Sequence, residues 1–124
     1  MVPTRPRTRR MTTPSARKGA SAELEIARIL TAELGVRVRR KLGAGRTDDE
    51  GDIEGLPGTT VEVKNYPKTG VATAINEGLR DLEREQANAG TPFGVLFVKR
   101  PRLGWIAVMD VSQFCAWYRE ATTP

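Results

Sequence analysis

The sequence predicts an α/β domain in which helices flank a mixed central β-sheet. Two long segments, 15–34 and 71–89, space their apolar residues as amphipathic helices do. Residues 51–64 read as a β-hairpin, and the run 93–98 is apolar on both faces, which is typical of a covered central strand. The predicted order of elements is α-β-β-β-α-β-β-α. At 124 residues, the chain is long enough for one domain with one core.

The N-terminal 16 residues are predicted to be a flexible basic arm, and residues 17–124 a single domain. The net charge is +5, and residues 1–18 contribute six basic side chains and no acidic one. The remainder carries 14 basic and 15 acidic side chains and is close to neutral. A basic arm of this kind fits a polyanion such as nucleic acid. A solvated tail, or a true start at Met11, remains equally open.

Composition excludes several classes of protein. The chain has no histidine and a single cysteine, Cys115, so it has neither an internal disulfide nor the ligands of a zinc site. Nucleophilic chemistry that relies on histidine is excluded as well. No apolar run approaches the ~20 residues of a membrane span. We therefore expect a cytoplasmic protein that needs no membrane and no small-molecule cofactor.

The first helix should run from Ser15, with Ser15 or Ser21 as N-cap, and stop at Gly35. Glu23 lies at the middle of its predicted inward stripe, where a carboxylate is costly unless it is paired or binds a metal. The alternative is a first-turn glutamate at the edge of the core that complements the helix dipole. The predicted apolar members of the stripe are Ile26, Ala27, Leu30 and Leu34.

The segment after this helix is basic and then acidic. Residues 36–39 alternate apolar and basic, which predicts a strand with a cationic outer face. The residues expected to hold phosphates are Arg17, Lys18, Arg37, Arg39, Arg40, Lys41 and Arg46. Residues 43–51 form a glycine-rich and then acidic loop that is either mobile or held by a cation. A solvated surface is the better fit for its three acids: Asp48, Asp49 and Glu50.

Most of the candidate catalytic residues lie on the predicted hairpin. Leu56-Pro57-Gly58 is a turn signal, and a turn there places Asp52 opposite Glu62. Directly opposed residues lie close enough for two carboxylates to share one divalent cation. Side chains alternate along a strand, so Glu62 and Lys64 face one way while Val61 and Val63 face a core.

The C-terminal half is predicted to cover this strand. The helix 71–89 should present Ile75, Leu79 and Leu82 inward, with Gln86 in line, and end at Gly90. The strand 93–98 should then pair in parallel with the Glu62 strand. A further strand spans 105–109, and Asp110 can cap a last helix. Its aromatic residues fit a core or a dimer contact better than base stacking: Phe114, Trp117 and Tyr118.

Three carboxylates and one lysine are together suited to metal-assisted chemistry at a phosphodiester. Carboxylate oxygens are hard ligands suited to Mg²⁺ or Mn²⁺, which can polarise a phosphodiester and lower the pKa of bound water. A lysine beside the metal can orient that water or help to deprotonate it. The set consists of Glu23, Asp52, Glu62 and Lys64.

The spacing of Asp52 and Glu62-Val63-Lys64, after a helix with an inward glutamate, resembles the PD-(D/E)-x-K nuclease core. The similarity to archaeal-type Holliday junction resolvases covers most of the chain. Arg17-Lys18-Gly19 with Glu23 resembles that family's opening segment and catalytic glutamate. Arg40 matches a position where such resolvases carry a functional arginine, and Gly104-Trp105 resembles a less specific family feature.

The resemblance implies a Mg²⁺-dependent homodimer that cuts two opposed strands of a four-way DNA junction, with Mn²⁺ able to substitute. Asp52, Glu62 and the carbonyl of Val63 would bind the metal, with Glu23 beside them, and Lys64 would position water. Two alternatives remain open. One is a general phage or repair endonuclease on the same core, because the motif specifies chemistry and not substrate shape. The other is a non-catalytic DNA-binding protein.

Overall fold

A computed structural model describes residues 14–41, 49–65 and 70–124. In these ranges the chain forms a five-stranded mixed sheet flanked by three helices, which confirms the predicted α/β class and order of elements. The elements are α1 (Pro14–Leu34), β1 (Arg39–Arg40), β2 (Ile53–Glu54), β3 (Thr59–Lys64), α2 (Val71–Ala89), β4 (Phe93–Arg100), β5 (Gly104–Val108) and α3 (Val111–Thr122).

The strands lie in the order β1-β2-β3-β4-β5. The β3–β4 pair is parallel, as predicted, and the other neighbours are antiparallel. In the parallel register Val61 lies beside Val95, and Glu62 beside Leu96. The strand that carries the candidate site is therefore an interior strand, with β2 on one side and β4 on the other.

Two apolar clusters cover the two faces of the sheet. On one face α1 packs Ala22, Ile26 and Ala27 against residues that include Val61 and Val63. On the other, α2 packs against Leu96 and Val98. Gly78 permits this approach, because a Cβ there would lie 2.5 Å from Leu96 Cδ1 and 3.1 Å from Lys64 Cγ. The side chains of Glu62 and Lys64 consequently face α2.

The segment after α1 differs from its prediction as a strand over 36–39. Pairing is confined to Arg39–Arg40. The backbone of Val38 bonds instead to the side chain of Thr31: Val38 N donates to Thr31 Oγ1 (3.0 Å), which donates to Val38 O (3.1 Å). Leu34 is 54% exposed, so its assignment to the buried stripe is wrong. The buried side of α1 ends near Leu30, which packs against the core.

The first helix begins inside the predicted basic arm, and the last helix is capped as predicted. α1 begins at Pro14, so the last residues of the predicted arm 1–16 belong to its first turn, while residues 1–13 lie outside the described part. Asp110 caps α3 as predicted, its Oδ1 accepting from Gln113 N at 2.9 Å. None of the helices in the described ranges is long and apolar enough to cross a membrane.

Candidate active site

Asp52 lies directly before β2 and is fixed by two hydrogen bonds to β3. Its N–H donates to Val61 O (2.8 Å), and its Oδ2 accepts from Val63 N (2.9 Å). Ile53 pairs with Val61, so Asp52 comes to the level of Glu62, as the hairpin predicts. Gly51 allows the close approach with a φ of 113°, where a Cβ would lie 3.0 Å from Val61 O. The site therefore rests on backbone hydrogen bonding as well as on side chains.

Asp52 and Glu62 are both buried, at 6% and 4% exposure. Burial and the charge of Glu62 raise the pKa of Asp52 to about 8. Burial and the neighbouring Glu85 raise the pKa of Glu62 to about 9. Two acids in this environment hold protons near neutral pH unless a cation replaces those protons.

Glu85 of α2 is a third buried acid, which sequence reasoning missed. It is 2% exposed, and burial raises its pKa to about 7. Glu85 Oε1 and Glu62 Oε1 are both buried without a hydrogen-bond partner in the described part of the chain. Unpartnered buried oxygens of this kind are costly, so they mark a place where a proton or a cation is required.

The sequence did carry a signal for Glu85. The stripe of α2 that is buried consists of Ala74, Gly78, Leu82 and Glu85. The prediction of Leu82 as an inward residue is confirmed, whereas the predicted Ile75, Leu79 and Gln86 each lie one position beyond a buried residue. Ile75 and Leu79 are only partly buried at its edge. Ala74 and Gly78 are small residues four apart, which indicates where a helix lies closest to a sheet, and helical steps of four and then three from Gly78 lead to Leu82 and Glu85.

Lys64 brings a cation to this cluster. Its Nζ lies 2.8 Å from Asp81 Oδ2 and 3.2 Å from Glu62 Oε2. Burial by itself would lower the pKa of Lys64, but the hydrogen bond to Asp81 and the charge of Glu62 outweigh it and raise that pKa. Lys64 is thus a persistent positive charge and hydrogen-bond donor rather than a base near neutral pH.

Glu23 has a protein partner. Its Oε1 accepts from Arg40 Nε at 2.8 Å, and its side chain is 14% exposed. Glu23 was expected to need a cation because the sequence places it on the inward stripe of the helix. Arg40 supplies that cation. Glu23 still approaches the site, because its charge is one of the contributions that raise the pKa of Asp52.

Asp49 is 4% exposed, so the prediction that it is a solvated loop residue is wrong. Its Oδ1 accepts from Gly51 N (2.8 Å), and its carbonyl accepts from Asn88 Nδ2 of α2 (2.8 Å). These bonds attach the end of the loop to α2 just before Asp52. Glu50 is exposed as predicted, and Asp48 lies outside the described residues.

Of the seven residues predicted to bind phosphate, the structure describes the side chains of four. Arg39 pairs with Glu54, Arg40 with Glu23, and Lys41 Nζ lies 3.1 Å from Glu50 Oε1. Arg37 is exposed. Arg46 lies outside the described residues, as do the side chains of Arg17 and Lys18. Three of these four described cations therefore lie beside carboxylates, which would moderate their attraction for phosphate.

The oxygen ligands at this site suit a Mg²⁺ ion that keeps several of its waters better than a metal ion that is enclosed entirely by protein ligands. In the described ranges, no three Asp, Glu, His or Cys side chains are arranged to hold a metal. Asp52 and Glu62 still offer hard carboxylate oxygens, the Val63 carbonyl follows directly after Glu62 in sequence, and Glu62 Oε1 has no partner in the described residues. Mg²⁺ commonly binds through one or two carboxylates and keeps several waters, so these residues fit it.

Comparison of the chain with family models, with curated proteins and with solved structures gave no match.

Proposed function

We propose that the protein is a Mg²⁺-dependent DNA endonuclease with a PD-(D/E)-x-K core, and that its preferred substrate is a four-way junction. The observation that carries the proposal is the meeting of Asp52, Glu62 and Lys64 in one buried cluster where an oxygen of Glu62 has no partner. Three residues from one hairpin in this arrangement have a clear use in phosphodiester hydrolysis. A cation bound at these carboxylates would satisfy that oxygen, as would a proton shared between Glu62 and Glu85.

Asp52, Glu62 and the Val63 carbonyl would hold the Mg²⁺ or Mn²⁺ ion. The bound ion would supply charge neutralisation at the phosphodiester and a lowered pKa for a coordinated water. The Asp52 carboxylate is kept in position by the Val63 N–H. Because the pKa of Lys64 is raised, its ammonium would donate a hydrogen bond to water or to a phosphate oxygen and would not remove a proton.

Glu23 would act through charge in this proposal, since Arg40 already occupies one of its oxygens. Arg37, Arg39, Arg40 and Lys41 would hold phosphates along the β1 edge of the sheet. Junction selectivity rests on the resemblance to resolvases. It also calls for a homodimer, because two symmetric cuts need two sites at a fixed spacing.

The proposal is tested by incubating the full chain with a labelled four-way junction and with a linear duplex of the same arm sequence, in Mg²⁺, in Mn²⁺ and in EDTA. We expect paired cuts in the junction that require the metal, little cutting of the duplex, and a loss of at least about 100-fold in Asp52→Asn. Glu83→Gln, which changes an exposed carboxylate of α2, is the control.

Each alternative has its own result in this assay. Equal cutting of both substrates would indicate a general endonuclease, and an active Asp52→Asn protein would remove the site assignment. Junction binding without cutting in either metal would support the non-catalytic DNA-binding protein. That alternative is favoured by the absence of a three-ligand metal group in the described residues and by the pairing of Lys64 with Asp81.

A further inference from the structure

The turn between β4 and β5 holds an arginine in a backbone conformation that favours glycine. Leu103 N donates to Arg100 O (3.2 Å), which closes the turn. Pro101 is its second residue, and Arg102 is its third, with a φ of 64°. These are the features of a type II turn, whose third residue is usually glycine or asparagine. The fold accepts a backbone cost at Arg102, and such a cost indicates that the side chain has a use.

The turn is held by its own contacts. Arg100 and Gly104 form the last pair of the β4–β5 ladder. The guanidinium of Arg100 donates from Nη2 to Leu103 O (2.9 Å) and from Nε to Gly104 O (3.4 Å). Arg102 takes part in none of these bonds and is exposed. We call residues 100–104 the basic tip. Arg102 is therefore not needed to close the turn, and a glycine would fit the same backbone.

The charge of Arg102 has no counterpart among the described residues. The segment 99–104 contains three basic side chains and no acidic one. Lys99 pairs with Glu25 at 2.7 Å, whereas Arg102 forms no ion pair with any described residue. The two basic residues of β1 differ in this respect, because each lies beside a carboxylate. Arg102 is therefore available to an anion from outside the chain.

Leu103 adds an apolar group to the basic tip. It is 68% exposed and follows Arg102 in the same turn. A single exposed leucine is ordinary on a protein surface, but an apolar side chain among cations suits a ligand with both anionic and apolar groups. DNA is such a ligand, because base faces become accessible beside the phosphates wherever stacking is interrupted. Proteins that deform DNA insert leucine and similar residues between bases as wedges.

The basic tip lies at the edge of the sheet where the candidate site is. Lys64, the last residue of β3, is level with Val98, and β4 continues to Arg100. Glu62 is level with Leu96, so the tip begins about 13 Å beyond Glu62 along the strand direction. That distance corresponds to roughly four steps of B-form DNA. One DNA molecule with a phosphate at the site can therefore reach the tip as well.

We propose that the basic tip is a wedge that recognises DNA with an interrupted stack, such as the centre of a branch. Arg102 binds a phosphate next to the break, and Leu103 lies against the base face that the break exposes. The break lowers the cost of insertion, because the bases there are already unstacked. The wedge gives the candidate site its preference for branched over linear DNA. This inference rests on the proposed DNA substrate, and it assigns that preference to residues outside the metal-binding group.

The first test is the binding of a fluorescent four-way junction and of the matching linear duplex by the full chain, followed by anisotropy in EDTA so that neither is cut. Leu103→Ser should weaken junction binding about ten-fold, which corresponds to one buried leucine, and leave duplex binding within about two-fold. Val111→Ser is the matched control, since Val111 is 78% exposed but lies beyond the other end of β5. It should bind both DNAs as wild type does.

Arg102→Gly separates a DNA contact from a structural role. It should weaken the binding of both DNAs and reduce the slope of log K against log salt by about 1, as the loss of one phosphate contact does. Glycine suits a φ of 64°, so the Tm should not fall. Arg119→Gln, at an exposed arginine of α3, is the control. A lower Tm with unchanged DNA binding would show that Arg102 serves the fold, and would overturn the proposal.

A reporter inside the DNA tests the wedge itself. A fluorescent adenine analogue brightens when its stacking is lost, so a junction that carries it at the crossover should brighten on saturation with wild type. The increase should persist with Arg102→Gly and be absent with Leu103→Ser. An equal increase with Leu103→Ser would contradict the insertion of Leu103, whatever the affinities are.

The remaining outcomes separate this proposal from the nuclease. Equal loss of junction and duplex binding in Leu103→Ser, or no loss of either, would overturn the wedge. Loss of binding to anionic phospholipid vesicles with DNA binding unchanged would make the tip a membrane contact instead. Junction cleavage without any effect of Leu103→Ser would remove only the wedge, whereas the Leu103→Ser effect without cleavage would remove only the nuclease. A wild-type protein that binds no DNA would overturn both.

Discussion

Glu23 and Glu85 approach the candidate site from helices on opposite faces of the sheet, and their surroundings differ. Glu23 keeps some exposure and accepts from Arg40 at 2.8 Å. Glu85 is 2% exposed, with one oxygen that has no partner in the described residues, and its pKa is raised to about 7. Glu23 lies near the edge of the sheet, where Arg40 pairs with it closely, whereas Glu85 lies on the buried side of α2, and its ion pair with Arg84 is longer, at 3.6 Å.

The difference shows where the site needs positive charge. On the α1 side the protein supplies Arg40, whereas on the α2 side Lys64 is shared between Glu62 and Asp81 and leaves buried oxygens without partners. A cation that entered the site would therefore stabilise the α2 side most. Four predictions test this contrast, from the largest expected effect to the smallest.

The largest effect is on the pH dependence of stability without divalent metal. The folded-state pKa values of Asp52, Glu62 and Glu85 are raised to about 8, 9 and 7. The folded state therefore binds more protons than the unfolded state between about pH 4.5 and 9, and stability falls as pH rises through that window. We expect the free energy of unfolding in urea to drop by at least about 4 kcal/mol from pH 5 to pH 9, which is the worth of three pKa units and is kept low because the three acids titrate as one coupled cluster.

Mg²⁺ should reverse part of this loss at pH 9, where the carboxylates are free of protons, and should have little effect at pH 5. Added NaCl at the same ionic strength is the control for general screening. If the free energy of unfolding did not change between pH 5 and pH 9, the protein itself would be stabilising the charged forms of the buried acids. The contrast between Glu23 and Glu85 would then be lost.

The next effect is the removal of the buried cation. Lys64→Ala leaves Glu62 and Asp81 without their shared ammonium, and breaking a buried pair costs about 3 kcal/mol. Lys99→Ala is the matched control, because Lys99 pairs with Glu25 at 2.7 Å while both side chains remain well exposed. That change should cost under about 1 kcal/mol. Equal losses in urea unfolding at pH 7 would contradict the assignment of Lys64 to a buried charge cluster.

Glu85→Gln tests the buried acid directly. The amide keeps the shape of the side chain and removes its charge, so it should stabilise the metal-free protein by about 2 kcal/mol at pH 8. At pH 4.5 the folded Glu85 is already protonated, and the change should be close to neutral. Glu83→Gln alters an exposed acid of the same helix and should show no such pH dependence. Destabilisation by Glu85→Gln at pH 8 would show that the charged form is the one the fold requires.

Much of the fold could be predicted because its signals are local. The limits of α2, the turn at Leu56-Pro57-Gly58 and the cap at Asp110 follow from residues that determine their own backbone conformation. The alternation that separates Val61 and Val63 from Glu62 and Lys64 follows from strand geometry. The meeting of Asp52 with Glu62 needs only the hairpin register, so this half of the site was accessible from the sequence.

The rest of the site depends on contacts between distant segments. The burial of Glu85 is set by how closely α2 approaches β3 at Gly78, and the burial of Asp49 is set by Asn88, 39 residues further along. Glu23 was predicted to need a cation, but the sequence could not show that Arg40 would reach it. Phe114 has the same limitation: it is 49% exposed, so its interpretation as a core residue is wrong, and the spacing of apolar residues on a helix does not show whether that face is covered.

The smallest expected effect is at the Glu23–Arg40 pair, and it is measured best by a double-mutant cycle. Glu23→Gln and Arg40→Gln should show a coupling of about 1 kcal/mol, since Glu23 is largely covered. The same cycle at Glu25 and Lys99, a more exposed pair, should give about 0.5 kcal/mol or less. Glu23→Gln should also keep the Mg²⁺-dependent stabilisation at pH 9, because Arg40 and not the metal is its partner. Absence of coupling together with loss of the Mg²⁺ effect would instead place Glu23 among the metal ligands, and the contrast with Glu85 would then disappear.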